Sequence, residues 1–138
     1  MEKIPQGESV CFVGDIIDRG KHSAKVVQLI KDNNYLCVKG NHELSIVDAL
    51  LSKNLSLWKQ NGGNKTIKSY FREKKKYNSD FHFFKKLPYF LYFEFDGHKP
   101  LVVSHSYIFN IWVDKDFSYK EEELKKYDLV AYDRREIS

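Results

Sequence analysis

No stretch of this chain stays apolar for the roughly 18 residues that a membrane-spanning helix requires, and its opening MEKIPQGESV lacks the apolar centre of a secretion signal. A cytoplasmic location without a membrane partner is the expectation. Cysteine is scarce: Cys11 and Cys37 are the only two, and they do not form a Cys-x-x-Cys pair, which excludes a disulfide framework and a thiolate zinc site. Both lie in apolar runs, SVCFVG and YLCVKG, and read as small core residues in a reducing compartment. Internal repeats, low-complexity segments and an interdomain linker are missing too. A strong excess of one charge is also absent: the net charge is +4, with much of the lysine gathered in FREKKKY and KKYD. Basic residues are not interleaved with exposed aromatics on one surface, so nucleic acid is not an expected partner.

What the chain does contain is enough for one core. Its 138 residues are 42% hydrophobic and 15% aromatic, with nine Tyr and ten Phe, against 30% charged residues and a mean hydropathy of −0.55. A single domain over 1–138 follows. ESVCFVGD reads as a short buried strand stopping at a loop, and Ala24, Val26, Val27 and Ile30 recur at helical spacing as far as Asn33-Asn34. YLCVKG reads as a second buried strand, so the first three elements form a strand, helix, strand unit with parallel strands. A helix follows Asn41, with Leu44, Ile46, Val47, Leu50 and Leu51 as its apolar side. Gly62-Gly63 reads as a break before an amphipathic helix, NKTIKSYFREKKKY. SDFHFFKKLP reads as a short helix capped by Ser79 or Asp80. YFLYFEFDGHKPLVVSHS reads as a hairpin, KEEELKKY as a charged helix and DLVAYDRREIS as the start of a strand. The fold class is α/β.

Three strand ends run directly into polar groups: GDIIDRG, KGNHE and VVSHS. In parallel α/β units ligands collect at the carboxyl ends of the strands, so adjacent strands would gather these loops. Taken alone, GDIIDRG could be a turn with Asp18 and Arg19 in a surface ion pair, and a lone histidine such as His105 is commonly structural. Together they offer a carboxylate, an amide oxygen and an imidazole, Asp15, Asn41 and His105, which suit a hard or borderline divalent metal. Asp15 is the candidate for a carboxylate bridging two metals. His42 could protonate a leaving oxygen, with Asp18 orienting its imidazole, and Arg19 offers a planar fork for phosphate oxygens. Trp58 and Trp112 have two readings, core packing or a stacking surface for a base such as adenine.

GDIIDRG, followed about twenty residues later by GNHE and then by a strand ending in histidine, resembles the phosphoprotein phosphatase family of two-metal phosphoesterases. WKQNGGNKTIKSY, LPYFLYFE and AYDRREIS resemble the bacterial and phage branch, which holds the lambda-phage protein phosphatase and the symmetrical diadenosine tetraphosphatases. The resemblance implies Asp15 as bridging ligand, Asn41 and His105 as ligands of the second metal, His42 as general acid and Asp18 as its partner. Arg19 and Arg134, from YDRRE, would hold phosphate, although Arg135 is an equally charged neighbour of Arg134. The implied cofactor is a divalent metal of the manganese type, two ions in the complete family and one here.

The family's opening Asp-x-His-Gly has no counterpart ahead of GDIIDRG, and its closing Gly-His-Thr type of motif has none before Ser138. His22, His82 and His98 lie in a helix start, an amphipathic helix and a hairpin turn, and do not replace it. The expectation is a shortened metallo-dependent phosphatase fold of mixed sheets flanked by helices, without its first strand or its last strands, and able to self-associate through exposed sheet edges. Three functions follow from the resemblance: serine/threonine protein phosphatase-like hydrolysis of phosphomonoesters, symmetrical hydrolysis of dinucleoside polyphosphates, or a catalytically inactive remnant that binds phosphorylated ligands or a protein. The expected partner is a phosphorylated protein or a small phosphoester.

Overall fold

The first two strands lie side by side as the alternation of apolar runs and helical spacing requires. In a computed structural model that describes residues 9–93, 96–99 and 101–106, β1 (Cys11–Phe12) pairs in parallel with β2 (Leu36–Cys37), Cys11 opposite Leu36 and Phe12 opposite Cys37. The ladder continues past both ends: Leu36 N–H donates to the Val10 carbonyl at 3.1 Å and Val38 N–H to the Phe12 carbonyl at 3.0 Å.

Between them runs α1 (Ser23–Asp32), which buries Ser23, Ala24, Val27 and Ile30, one face of a 3.6-residue period. It ends where Asn34 turns left-handed at φ 50°. There Asn34 N–H reaches the Lys31 carbonyl at 3.3 Å and Tyr35 N–H the Ile30 carbonyl at 3.0 Å. This is a Schellman cap, with asparagine in the place glycine usually takes.

The helix expected after Asn41 is α2 (Asn41–Ser52). Its buried side is Leu44, Ile46, Val47 and Ala49, joined by His42 and Glu43, whereas Leu51 is 55% exposed. Leu51 belongs to the face turned away from the core. Two polar residues replace it inside because the N-terminus of α2 abuts the functional loops.

Gly62-Gly63 kinks the chain without ending its helical course. A single turn, α3 (Ser56–Trp58), passes through a wide π turn (Lys59–Gly63) into α4 (Asn64–Arg72), with Gly62 alone left-handed at φ 113°. The expectation that α4 would run through the lysine cluster to Tyr77 is corrected. It stops at Arg72, Lys74 turns to φ 56°, and Lys74 and Lys75 N–H groups close on the Phe71 and Tyr70 carbonyls at 3.0 and 2.9 Å. A second Schellman cap thus ends the helix ahead of successive like charges.

Asp80 stands at the N-cap of α5 (Phe81–Lys86), but its side chain does not cap the helix. It accepts instead from Lys31 Nζ at 2.6 Å and Tyr70 hydroxyl at 2.8 Å, tying α1 and α4 to the start of α5. Burial and the neighbouring Asp80 push the Tyr70 phenol up. The expected hairpin is present as β3 (Phe90–Phe93) antiparallel to β4 (Leu101–Ser104), Phe90 opposite Ser104.

Helices thus flank two short sheets in an α/β arrangement. The core joins Ile17, Val27, Ile30, Cys37, Ile46, Val47, Ala49, Trp58, Phe84 and Leu87. Lys39 is also buried; its ammonium donates to the Lys85 carbonyl at 3.0 Å and sits 4.7 Å from the centre of the Tyr89 ring. No helix among the described residues is long and apolar enough to cross a membrane. KEEELKKY, DLVAYDRREIS, Trp112, Arg134 and Arg135 lie outside the described residues.

Candidate metal and phosphate site

The loops after β1, β2 and β4 meet. His105, just past β4, directs Nδ1 to the Val13 carbonyl at 2.8 Å. A carbonyl can only accept, so Nδ1 carries a hydrogen. Nε2 lies 2.9 Å from Asn41 Oδ1 and 3.4 Å from Asp15 Oδ2. Asp15 Oδ1 in turn accepts the His42 N–H at 3.2 Å.

Such proximity depends on glycine. Gly14 has φ 81°, and a Cβ there would stand 2.6 Å from the Gly40 nitrogen and 2.8 Å from its Cα. The following turn is strained further, since Asp15 and Asp18 are left-handed at φ 55° and 76°, at about 1 kcal/mol each.

Glu43 holds that turn. Fully buried, its Oε2 accepts the N–H groups of Asp15 and Gly40, each at 2.8 Å, and its Oε1 accepts that of Ile16 at 2.8 Å. Burial pushes the Glu43 carboxyl above the usual range, while these three N–H groups pull it back. One carboxylate therefore fastens the β1 loop to the β2 loop.

Beneath the surface Asp18 and His42 form a buried pair, with His42 Nδ1 2.8 Å from Asp18 Oδ2. The bond to Asp18 pushes the imidazole upward, burial opposes it, and the charge of Asp15 adds to the rise. The Asp18 carboxylate also accepts Trp58 Nε1 at 3.1 Å on Oδ1 and 3.0 Å on Oδ2, and the Thr66 hydroxyl at 2.6 Å on Oδ1. Thr66 Oγ1 simultaneously accepts the Asp18 N–H at 2.9 Å. Arg19 is exposed beside them, and its carbonyl accepts Lys65 Nζ at 3.3 Å.

The structure accordingly brings together Asp15, Asp18, Asn41, His42 and His105, with Arg19 adjoining on the surface. The spacing of motifs did not single out Glu43, although it is the last letter of GNHE. Trp58 and Thr66 were hidden for a different reason: they stand 40 and 48 residues beyond Asp18 and reach it only through the fold. Trp58 is 1% exposed, which corrects the stacking reading in favour of the core.

The three outer donors suit a divalent ion. Oxygen and imidazole donors bound at roughly 2.0–2.2 Å to one ion stand about 3 Å apart, and Nε2 lies 2.9 Å from Oδ1 of Asn41 and 3.4 Å from Oδ2 of Asp15. An imidazole nitrogen beside two oxygens is accommodated either by its own hydrogen or by a cation between them. Among the described residues no group of three or more His, Cys, Asp or Glu side chains converges; the cluster consists of two such side chains, Asp15 and His105, with the Asn41 amide beside them.

A strand, helix, strand unit that gathers loops at the carboxyl ends of its parallel strands is the ligand-collecting arrangement of α/β proteins. The chain belongs to the calcineurin-like phosphoesterase family, whose model matches residues 2–134. Among curated proteins it is 40% identical over 60 residues to serine/threonine-protein phosphatase 1 of Salmonella typhimurium, a segment covering 44% of this chain and 28% of that protein. It is 34% identical over 59 residues to serine/threonine-protein phosphatase 2 of the same organism, covering 43% and 27%. Serine/threonine-protein phosphatase 2 of Escherichia coli is 35% identical over 60 residues, covering 44% and 28%. The matched segment thus spans under a third of each relative. No solved structure matches the chain. Divalent metals are general to the family, and hydrolysis of phosphoesters is its class of reaction.

Proposed function

We propose that the loop cluster is the metal and phosphate site of a phosphomonoester hydrolase whose substrates are phosphorylated proteins or small phosphoesters. One observation carries the reading: a buried imidazole–carboxylate pair, His42–Asp18 at 2.8 Å, lies directly behind the convergence of Asp15, Asn41 and His105. Asp15, Asn41 and His105 would hold a divalent ion of the manganese type. When bound, the ion supplies charge that stabilises the phosphoryl oxygens and acidifies water.

The remaining work belongs to side chains. Asp18 accepts the His42 Nδ1 hydrogen, which leaves Nε2 to carry a proton to the departing alkoxide. Arg19 and Arg134 would bind phosphate oxygens as planar cations. A raised His42 keeps the imidazole charged, and able to give a proton, over more of the neutral range. The 1–138 segment is read as one domain working in the cytoplasm.

A second reading, a phosphate-ligand-binding module without turnover, is supported by the small donor set, the two ionisable side chains Asp15 and His105 beside the Asn41 amide. Hydrolysis of p-nitrophenyl phosphate with added manganese separates the two. Turnover that falls at least 100-fold in both His42→Asn and Asp15→Asn supports the hydrolase; turnover indifferent to both removes it. Manganese binding by calorimetry without turnover supports the binding module.

A further inference from the structure

Asp18 sits on a left-handed turn, fully buried, and a carboxylate there is tolerated only if its oxygens are occupied. His42 occupies part of one oxygen. The other donors come from a segment outside both loop motifs, the α3, π-turn and α4 stretch. Trp58 Nε1 straddles both oxygens at 3.1 and 3.0 Å, so rotation of the carboxylate would break a bond on either side. Thr66 clamps the residue twice, its hydroxyl donating to Oδ1 at 2.6 Å while its oxygen accepts the Asp18 N–H at 2.9 Å.

The intervening glycines make this possible. Gly62, left-handed, has its Cα so close to Asp18 that a Cβ would stand 2.7 Å from the Asp18 carbonyl oxygen, and Gly63 lies beneath the Trp58 indole. Trp58, Gly62, Gly63 and Thr66 together form a cradle shaped around one carboxylate.

We propose that Trp58 and Thr66 are positioning residues: they hold Asp18 in the one orientation that keeps the His42 hydrogen on Nδ1 and leaves Nε2 to face the substrate. The proposal rests on His42 being the proton donor, and it extends the machinery to two residues that touch neither metal nor phosphate. With both clamps in place Oδ2 faces His42 Nδ1 while sharing the Trp58 indole N–H with Oδ1. Without Thr66, Oδ1 loses its shortest bond and the Asp18 backbone loses its acceptor.

The test measures the ring before it measures turnover. Nitrogen-15 NMR of the full chain, at a pH high enough to leave the ring neutral, reads the His42 tautomer in the wild type, Thr66→Val, Thr66→Ser and Trp58→Phe. The expected result is a single Nδ1–H form in the wild type and Thr66→Ser, and mixed tautomers in Thr66→Val and Trp58→Phe. Trp58→Phe keeps the packed ring, so it carries the measurement if Thr66→Val does not fold. An unchanged tautomer in the folded variants overturns the proposal whatever the activity.

Hydrolysis is then compared for phenyl phosphate, whose leaving group needs a proton, and p-nitrophenyl phosphate, whose leaving group needs it far less. Thr66→Val should lower the first about tenfold more than the second, with Thr66→Ser restoring it. Mixed tautomers with equal losses on both substrates, or with no wild-type turnover, uphold the positioning and overturn His42 as proton donor, which keeps the two failures apart.

Discussion

Glu43 Oε2 accepts the backbone N–H of Asp15 and that of Gly40 at the same distance, 2.8 Å, so a single buried oxygen joins two loops through residues 25 positions apart. Glu43→Gln turns one end of the carboxylate into a donor facing backbone donors. The expected cost is about 2–3 kcal/mol, the range for buried hydrogen bonds to a charged group. Urea unfolding with an unchanged slope and a lower midpoint would register it; a midpoint equal to the wild type's would show that the loops are held some other way.

His42 predicts a stability profile with a definite sign. Its pKa in the folded chain is raised above the ordinary 6.5, chiefly by the bond to Asp18. The folded state therefore binds the proton more tightly than the unfolded one, and this contribution is complete below pH 6.5 and lost as pH rises through the raised value. Unfolding free energies of the wild type relative to His42→Gln, measured from pH 6 to about 9, should converge as pH increases. A difference that grows with pH would contradict the assignment.

Gly63 is a packing position. A Cβ there would lie 2.5 Å from Trp58 Cδ2, while at Gly20 it would meet nothing within 4 Å. Gly63→Ala should destabilise by about 1–3 kcal/mol, the usual cost of overpacking, and should disturb the Trp58 indole N–H resonance. Gly20→Ala should change stability by less than about 0.5 kcal/mol. Equal melting temperatures for the two would count against the cradle.

Cys37 is buried, and desolvation pushes its thiol up to about 12, whereas half-buried Cys11 is raised in the same direction. Iodoacetamide at pH 8 should leave Cys37 unmodified in the folded chain and alkylate it fully in urea. Mass spectrometry reads the sites directly. Labelling of native Cys37 within minutes would mean that the β2 strand opens readily.

Asp15, Asn41 and His105 predict stabilisation by metal. Manganese at a hundredfold excess over its Kd should add about 2.7 kcal/mol to the unfolding free energy. His105→Ala should remove most of that increment, read against the variant's own metal-free stability because the variant also loses the bond to the Val13 carbonyl. An increment intact in His105→Ala would move the ion elsewhere.

Much of this protein was legible along the chain. The parallel strand, helix, strand unit follows from two short apolar runs around a helical period, since those patterns depend on local burial alone. The hairpin followed from two aromatic and β-branched runs around a glycine turn. Helix ends were less legible. The α4 stop at Arg72 depends on Lys74 accepting a left-handed turn, a choice that composition disfavours and the Schellman bonds outweigh. Asp80 looked like a cap, but the half-exposed Lys31 ammonium and the buried Tyr70 hydroxyl take its carboxylate instead, at 2.6 and 2.8 Å.

The sequence by itself determined which chemical groups this protein gathers in its loop cluster, because GDIIDRG, GNHE and the histidine after VVS each place a polar side chain at the end of a strand. Only the tertiary structure decided how those groups are held. Glu43 fastens two loops, and Trp58 and Thr66 immobilise Asp18 across 40 and 48 residues of intervening chain. Local patterning records burial and turn chemistry within a few residues, whereas a buried carboxylate must find its donors wherever the fold delivers them.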